Sequence, residues 1–215
     1  DKHNEFGRKL EIHMEDKICG IETISHMQFY NGVQAVRCWT DVKNVGTEPQ
    51  GLEYVSSFAL TGIEKEGMLS TDDKMRVWYP HNGWQREMQW ESYTFPQLGL
   101  ARCQPEEIQR SSKVIGATNI GNWSTKEYLP MGLLENTETG SNLFWQIEHN
   151  GSWHWEISDQ MGNFYIQLSG PTETESHWWK NLQPGETFTT VPVCVGSTLG
   201  KFDDAMGELT KYRRM

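Results

Sequence analysis

The stretch of sequence that decides the fold spans residues 142 to 170 and reads NLFWQIEHNGSWHWEISDQMGNFYIQLSG. Within it, two segments rich in apolar residues, 143–149 and 152–158, flank the dipeptide Asn150-Gly151. Asn-Gly is the strongest two-residue hairpin signal, because both residues readily adopt positive φ angles. A second polar turn then leads to residues 164–169. The sequence therefore predicts a three-stranded antiparallel meander in which the two Trp-rich segments pair with each other.

Both faces of this predicted hairpin carry large apolar side chains. One face holds Phe144, Trp153 and Trp155, and the other holds Trp145 and Ile147, since successive residues of a strand point to opposite sides. A sheet that is apolar on both faces has to be covered on both. We therefore expect a second sheet or another domain to pack on each side.

Further strands and one helix are indicated elsewhere in the chain. Residues 32–42 alternate with a period of two, and residues 54–60 form a second apolar run between glycines. Near the C-terminus five apolar residues recur at helical spacing, namely Phe202, Ala205, Met206, Leu209 and Tyr212. These patterns predict an all-β fold: a two-sheet antiparallel sandwich with a C-terminal α-helix. They disfavour a (β/α)₈ barrel, which needs about 250 residues and a helix after every strand.

The composition disfavours several classes of partner. The chain has 215 residues with 29 acidic and 19 basic side chains, a formal net charge of −10, which would repel the phosphate backbone of a nucleic acid. No apolar run reaches the roughly 18–20 residues of a membrane-spanning helix, and no leader sequence is visible at residue 1. The four scattered cysteines, Cys19, Cys38, Cys103 and Cys194, favour free thiols in a reducing cytoplasm over disulfides.

The sequence contains no motif that would carry catalysis or hold a metal or cofactor. A Gly-x-Ser-x-Gly elbow, an HExxH motif and the glycine loops of nucleotide-binding proteins are all missing. A glycosidase needs two carboxyl groups about 5–10 Å apart, but Glu148 and Glu156 fall on opposite faces of the predicted hairpin. Asp72-Asp73 and Asp203-Asp204 are explained by solvation and helix capping. We therefore expect no catalytic residue, no metal ligand and no cofactor.

Tryptophan is the unusual component, with 10 residues in the chain. Aromatic rings stack on the faces of sugars while amides and guanidinium groups bind hydroxyls, but Trp and Arg are also enriched at protein interfaces. The candidate sugar or interface contacts are Trp78, Trp84, Arg86, Glu87, Trp90, Trp178 and Trp179. An interface is the favoured interpretation of Trp178-Trp179, and both interpretations stay open for the first cluster.

Several segments resemble a known family in the order in which they occur. Residues 80–87, PHNGWQRE, are similar to the Gly-x-Trp-x-Arg-Glu segment of glycoside hydrolase family 36, the α-galactosidases. Arg110-Ser111-Ser112 and residues 182–188, LQPGETF, resemble further stretches of the N-terminal domain of that family. Residues 202–214 resemble the helix that leads into its catalytic barrel. The resemblance extends over roughly residues 20–215.

The resemblance implies a galactose-mutarotase-like β-supersandwich over residues 1–198, followed over residues 199–215 by a helix leading toward a catalytic (β/α)₈ barrel that this chain lacks. The family hydrolyses terminal α-galactosides with retention, using two aspartates of the barrel. The implied role is that of a non-catalytic domain in a bacterial, cytoplasmic enzyme, where it packs on the barrel, supports the active-site rim and contributes to a homo-oligomer. The alternatives are a free-standing carbohydrate-binding module with Trp platforms and a complete small glycosidase.

Overall fold

A computed structural model describes residues 2–4, 7–100, 113–160 and 162–215. In chain order the strands of the described residues are β1 Lys2–Asn4, β2 Gly7–Asp16, β3 Ile21–Tyr30, β4 Ala35–Asn44, β5 Gln50–Leu52, β6 Ser56–Thr61, β7 Met75–His81, β8 Gln89–Thr94, β9 Ile115–Asn119, β10 Met131–Asn136, β11 Ser141–Ile147, β12 Trp153–Gln160, β13 Asn163–Ser169, β14 Lys180–Leu182, β15 Thr187–Thr189 and β16 Val193–Leu199. The helices are α1 Thr71–Lys74, α2 Glu173–Ser176 and α3 Phe202–Arg213, and a 3-10 turn spans Pro96–Leu98.

The strands form two sheets and a short ribbon. The large sheet has the order β1-β2-β3-β4-β16-β11-β10-β7-β8, with β15 paired to β4, and the small sheet has the order β6-β13-β12-β9. The ribbon pairs β14 with β5. Pairing between neighbouring strands of the described residues is antiparallel throughout. The predicted all-β class, a two-sheet antiparallel sandwich with a C-terminal helix, is confirmed.

The predicted pairing across Asn150-Gly151 is wrong. β11 pairs with β10 and β16 in the large sheet, whereas β12 pairs with β9 and β13 in the small sheet. Asn150-Gly151 is therefore part of a link between sheets and not a hairpin turn. A hairpin would place Trp145 and Trp155 on opposite faces, but the two-sheet arrangement buries both in one core with ring centroids 5.2 Å apart. The next predicted turn is correct, because β12 and β13 pair directly.

The main core lies between the two sheets. The fully buried large side chains that meet there are Trp145, Ile147, Trp153, Trp155, Ile157, Phe164, Ile166 and Leu168. Each aromatic residue removes roughly 150–250 Å² from water, which contributes about 4–6 kcal/mol before entropy is counted. The indole N–H groups of Trp145 and Trp155 have no hydrogen-bond acceptor among the described residues. Packing, rather than polar pairing, therefore holds these two rings.

Helix α3 forms a further layer on the outer face of the large sheet. It buries Ala205 and Leu209 in a second cluster that includes Phe144. Gly196 of β16 leaves room for the Phe144 ring in this cluster, since a Cβ at residue 196 would lie 2.1 Å from Cζ of Phe144. At the start of the helix, Oδ2 of Asp204 accepts a 2.8 Å hydrogen bond from a backbone N–H. The predicted cover of both faces is found for β11, which lies between the small sheet and α3, but not for β12, whose outer face at Glu156 borders an open groove.

The described cysteines are unpaired thiols. Cys38 and Cys194 lie on adjacent strands but point to opposite sides of the large sheet, Cys38 into the main core and Cys194 toward α3. Cys19 is half-buried and also free. Burial raises the pKa of Cys38 to about 12, which keeps the thiol protonated at neutral pH. Cys103 and the segment Arg110-Ser111-Ser112 lie outside the described residues.

Candidate functional site

Two of the candidate tryptophans lie beneath the start of α3. The ring of Phe202, the first residue of the helix, packs between Trp78 of β7 and Trp90 of β8, with centroid distances of 5.0 and 4.9 Å. The indole N–H of Trp78 donates a 2.8 Å hydrogen bond to Glu135 on the neighbouring strand. In the described structure these two rings therefore anchor the helix.

Trp84, Arg86 and Glu87 lie together on the loop that joins β7 to β8. Asn82 holds this loop in place, because its side-chain oxygen accepts a 2.9 Å hydrogen bond from the backbone N–H of Met88 and its amide group donates to a carbonyl of the 120–128 loop. Trp84 is 82% exposed, and the side chains of Arg86 and Glu87 are exposed beside it. The indole of Trp84 is therefore exposed to solvent on a loop that hydrogen bonds of Asn82 hold in place.

Trp178 and Trp179 lie in another part of the molecule. The ring of Trp178 packs against Phe188 of β15, with the centroids 5.1 Å apart, whereas Trp179 is 66% exposed. β15 pairs with β4, and the strands β16, β11 and β10 separate β4 from β7. The structure therefore does not bring the two Trp clusters together.

A cavity beside α3 was not anticipated from the sequence. It has a volume of about 610 Å³ and is lined by Tyr30, Arg37, Gln146, Glu148, Tyr212, Arg213 and Met215. At its centre Nε of Arg37 donates a 2.7 Å hydrogen bond to one oxygen of Glu148, and the hydroxyl of Tyr212 donates to the other oxygen. We call this feature the α3 cavity. It combines a charged pair, an amide and two phenols.

Electrostatics keep the α3 cavity rich in hydrogen-bond donors at neutral pH. Burial is the main cause that raises the pKa of Tyr212, and the adjacent Glu148 carboxylate raises it further. Burial likewise raises the pKa of Tyr30, whose ring meets that of Tyr212 edge-on at 5.6 Å. Both phenols therefore stay protonated. In the sequence Arg37 falls within the alternating segment 32–42, but no motif marks it as a site residue.

The described residues offer no metal site, because no group of three or more His, Cys, Asp or Glu side chains converges in that part of the chain. The two carboxylates Glu148 and Glu156 are kept apart by the two-sheet arrangement and not by the opposite faces of a hairpin. Glu148 lies beside the large sheet, whereas Glu156 belongs to the small sheet.

Among the helices described, none has the length and apolar character needed to cross a membrane.

Solved α-galactosidases contain a region with the same fold. The α-galactosidase from Lactobacillus brevis matches with a TM-score of 0.77 at 14% identity, over 99% of this chain and 27% of that chain. The GH36 α-galactosidase AgaA from Geobacillus stearothermophilus matches with a TM-score of 0.72 at 17% identity, over 93% of this chain and 26% of that one. The chain has the fold of one part of these enzymes.

The remaining comparisons show how far this similarity extends. The galactosidase domain of the α-galactosidase-sucrose kinase AgaSK matches with a TM-score of 0.71 at 19% identity, over 89% of this chain and 24% of its own. No protein-family model matches the chain, and no curated protein matches it significantly. The chain thus spans about a quarter of the length of the solved structures that it matches. The resemblance to glycoside hydrolase family 36 is confirmed at the level of the fold.

Proposed function

We propose that this chain is a non-catalytic N-terminal domain of a GH36-type α-galactosidase, and that it packs on a catalytic (β/α)₈ barrel. The supporting observation is the coverage of the structural match, which takes in 99% of this chain but only 27% of the Lactobacillus brevis enzyme. In this proposal residues 1–198 are the sandwich and residues 199–215 lead toward the barrel. A bacterial, cytoplasmic homo-oligomer acting on terminal α-galactosides is part of the same proposal.

The surface around α3 is the proposed contact with the barrel. Ala205 and Leu209 hold the helix on the large sheet, so its opposite side is available to a second domain. The α3 cavity adds a charged pair, Arg37 and Glu148, that is still partly open to solvent. Arginine and tyrosine are enriched at such interfaces because they combine apolar area with hydrogen-bond donors. Docking there would support the rim of the active site without supplying a catalytic group.

Hydrolysis of a chromogenic α-galactoside tests this proposal. The 215-residue chain is compared with the longest polypeptide that its reading frame encodes. Activity in the longer polypeptide alone is the expected result. Activity in the 215-residue chain would contradict the non-catalytic role, and the absence of activity from both would contradict the α-galactosidase assignment.

The exposure of Trp84 favours a second candidate, a free-standing carbohydrate-binding module. Leaving an indole 82% exposed forgoes the stabilisation that burial of a large ring provides, and a sugar face is a suitable occupant. Saturable galactoside binding by this chain that is lost in Trp84→Ala and retained in Trp179→Ala would support this candidate. Equal binding by both variants would exclude the Trp84 platform.

A further inference from the structure

The outer face of the small sheet carries an open groove of about 260 Å³. Its floor is a cross-strand pair, with Glu156 of β12 directly opposite Gln167 of β13. On either side of this pair the neighbouring strands present the small residues Gly116, opposite Glu156, and Ala59, opposite Gln167. Neither neighbour has a side chain long enough to cover the pair. The carboxylate and the amide therefore form a shelf open to solvent, which we call the outer groove.

A hydrogen-bond network fixes the carboxylate of the outer groove. Nε2 of His154 lies 3.1 Å from one oxygen of Glu156, and the hydroxyl of Tyr165 donates a 3.0 Å hydrogen bond to the other. His154 is 7% exposed, and its Nδ1 lies 2.7 Å from the hydroxyl of Thr118. The hydrogen bond from His154 is the main cause that lowers the pKa of Glu156. Glu156 is therefore ionised and oriented before any ligand arrives.

The amide of the outer groove is oriented in the same way. The hydroxyl of Tyr54 donates a 2.6 Å hydrogen bond to Oε1 of Gln167, which identifies the other amide atom as the NH₂ group. Those N–H donors have no partner among the described residues. Tyr54 remains 40% exposed, and Thr172 and Glu175 line the groove beside it. A donor, an acceptor and an aromatic side chain thus share one open concavity.

This arrangement lowers stability compared with an apolar alternative. Withdrawing a carboxylate and an imidazole from water costs free energy that their mutual hydrogen bond recovers only in part. The inner face of the same strands is apolar, with Trp155, Ile157 and Leu168 fully buried. Natural sequences tend to keep such costly polar networks at functional sites. The charge of the groove also restricts its ligand, since Glu156 and Glu175 repel anions.

We propose that the outer groove binds a neutral saccharide, with Glu156 accepting hydrogen bonds from sugar hydroxyls and Gln167 donating to them. An adjacent carboxylate and amide suit a vicinal diol, which offers both donors and acceptors, and Tyr54 provides apolar surface for the sugar ring. This site is formed by strands of the small sheet together with Tyr54 and residues 172–175. It does not depend on the proposed catalytic partner, and it shares no lining residue with the α3 cavity.

Titration calorimetry on the full 215-residue chain, with raffinose and methyl α-galactoside as neutral probes and glucuronate as the anionic comparison, tests the proposal. Saturable binding of a neutral probe is expected, with affinity falling at least tenfold in Gln167→Leu and Glu156→Gln. Gln146→Leu, a matched glutamine in the α3 cavity, and Trp84→Ala are expected to bind as the parent chain does. Thermal unfolding of each variant establishes that it is folded. If Gln167→Leu does not fold, Tyr54→Phe replaces it as the milder variant.

The outcomes separate the possible sites. Amide chemical-shift changes confined to Tyr54, Gly116, Thr118, Gln167 and residues 154–156 on addition of the neutral probe would support the outer groove without any variant. Binding lost in Trp84→Ala or Gln146→Leu but kept in Gln167→Leu would overturn the proposal, as would tighter binding of glucuronate or no binding of either neutral probe. None of these results depends on α-galactoside hydrolysis, so the two proposals fail independently.

Discussion

Replacing Gly132 of β10 by alanine should destabilise the sandwich by direct collision with its core. Trp145 is the cross-strand partner of Gly132, and a Cβ at residue 132 would lie 2.3 Å from Cζ2 of that ring and 2.8 Å from Cε2 and Cη2. Carbon atoms normally approach to about 3.5–4.0 Å, so the overlap exceeds roughly 1 Å. Trp145 is fully buried and has little room to move away.

The expected magnitude follows from these distances. Overpacking of a rigid core costs about 1–3 kcal/mol, and the reduced entropy of the unfolded chain offsets about 0.4–1 kcal/mol of it. A net loss of about 1–2 kcal/mol should lower Tm by roughly 2–8 °C in a domain of this size. Urea unfolding followed by tryptophan fluorescence measures the loss. Gly51→Ala is the matched control, because nothing lies within 4 Å of a Cβ there, and it should leave stability unchanged or slightly raised.

A double variant separates the collision from other effects of alanine. Trp145→Phe removes the outer part of the indole, so Gly132→Ala should cost at least about 1 kcal/mol less in that background than alone. Strictly additive effects of the two substitutions would refute the argument from the collision. So would a Gly132→Ala variant as stable as Gly51→Ala.

Three further expectations follow from features described above. Phe202→Ala removes the ring held between Trp78 and Trp90, so it should cost about 2–3 kcal/mol and speed amide hydrogen exchange in α3 more than in the sheets. Because burial raises the folded-state pKa of Cys38 from 9.0 to about 12, its contribution to stability is complete below pH 9 and is lost between pH 9 and pH 12, at about 1.4 kcal/mol per pH unit. Urea unfolding of the parent chain and of Cys38→Ala across that range should show the parent losing its advantage as pH rises. Trp84→Ala should change the free energy of unfolding by less than about 0.5 kcal/mol, because its side chain is largely exposed, and a larger change would show that the ring packs in solution.

The sequence predicted the elements of this fold better than it predicted their partners. Alternation placed strands at residues 32–42 and 54–60, and helical spacing placed α3, because both signals are local. The pairing across Asn150-Gly151 was wrong, because an Asn-Gly turn favours a hairpin only when the two strands can share one sheet. Here the two strands lie in different sheets, which allows Trp145 and Trp155 to pack against each other in the core. A contact between sheets of this kind leaves no local pattern in the sequence.

The polar sites were harder to predict for a similar reason. Arg37 and Glu148 are 111 residues apart in sequence, and the sequence offers no motif that joins them. Likewise, Glu156 and Gln167 form a shelf only because the strands beyond them contribute Gly116 and Ala59. The aromatic clusters were conspicuous in the sequence, but composition alone did not separate Trp78 and Trp90, which anchor a helix, from the exposed Trp84.

The link at Asn150-Gly151 also bears on how the chain folds. Along the described strands the chain passes back and forth between the two sheets, from β4 to β6, back to β7, and again at β9, β10, β12 and β15. Neither sheet is made from one continuous piece of chain, so neither can form before distant segments have met. Such non-local pairing is expected to give slow folding. Cutting the chain near residue 150 would leave both halves without complete sheets, and we expect the two fragments to regain structure only when mixed.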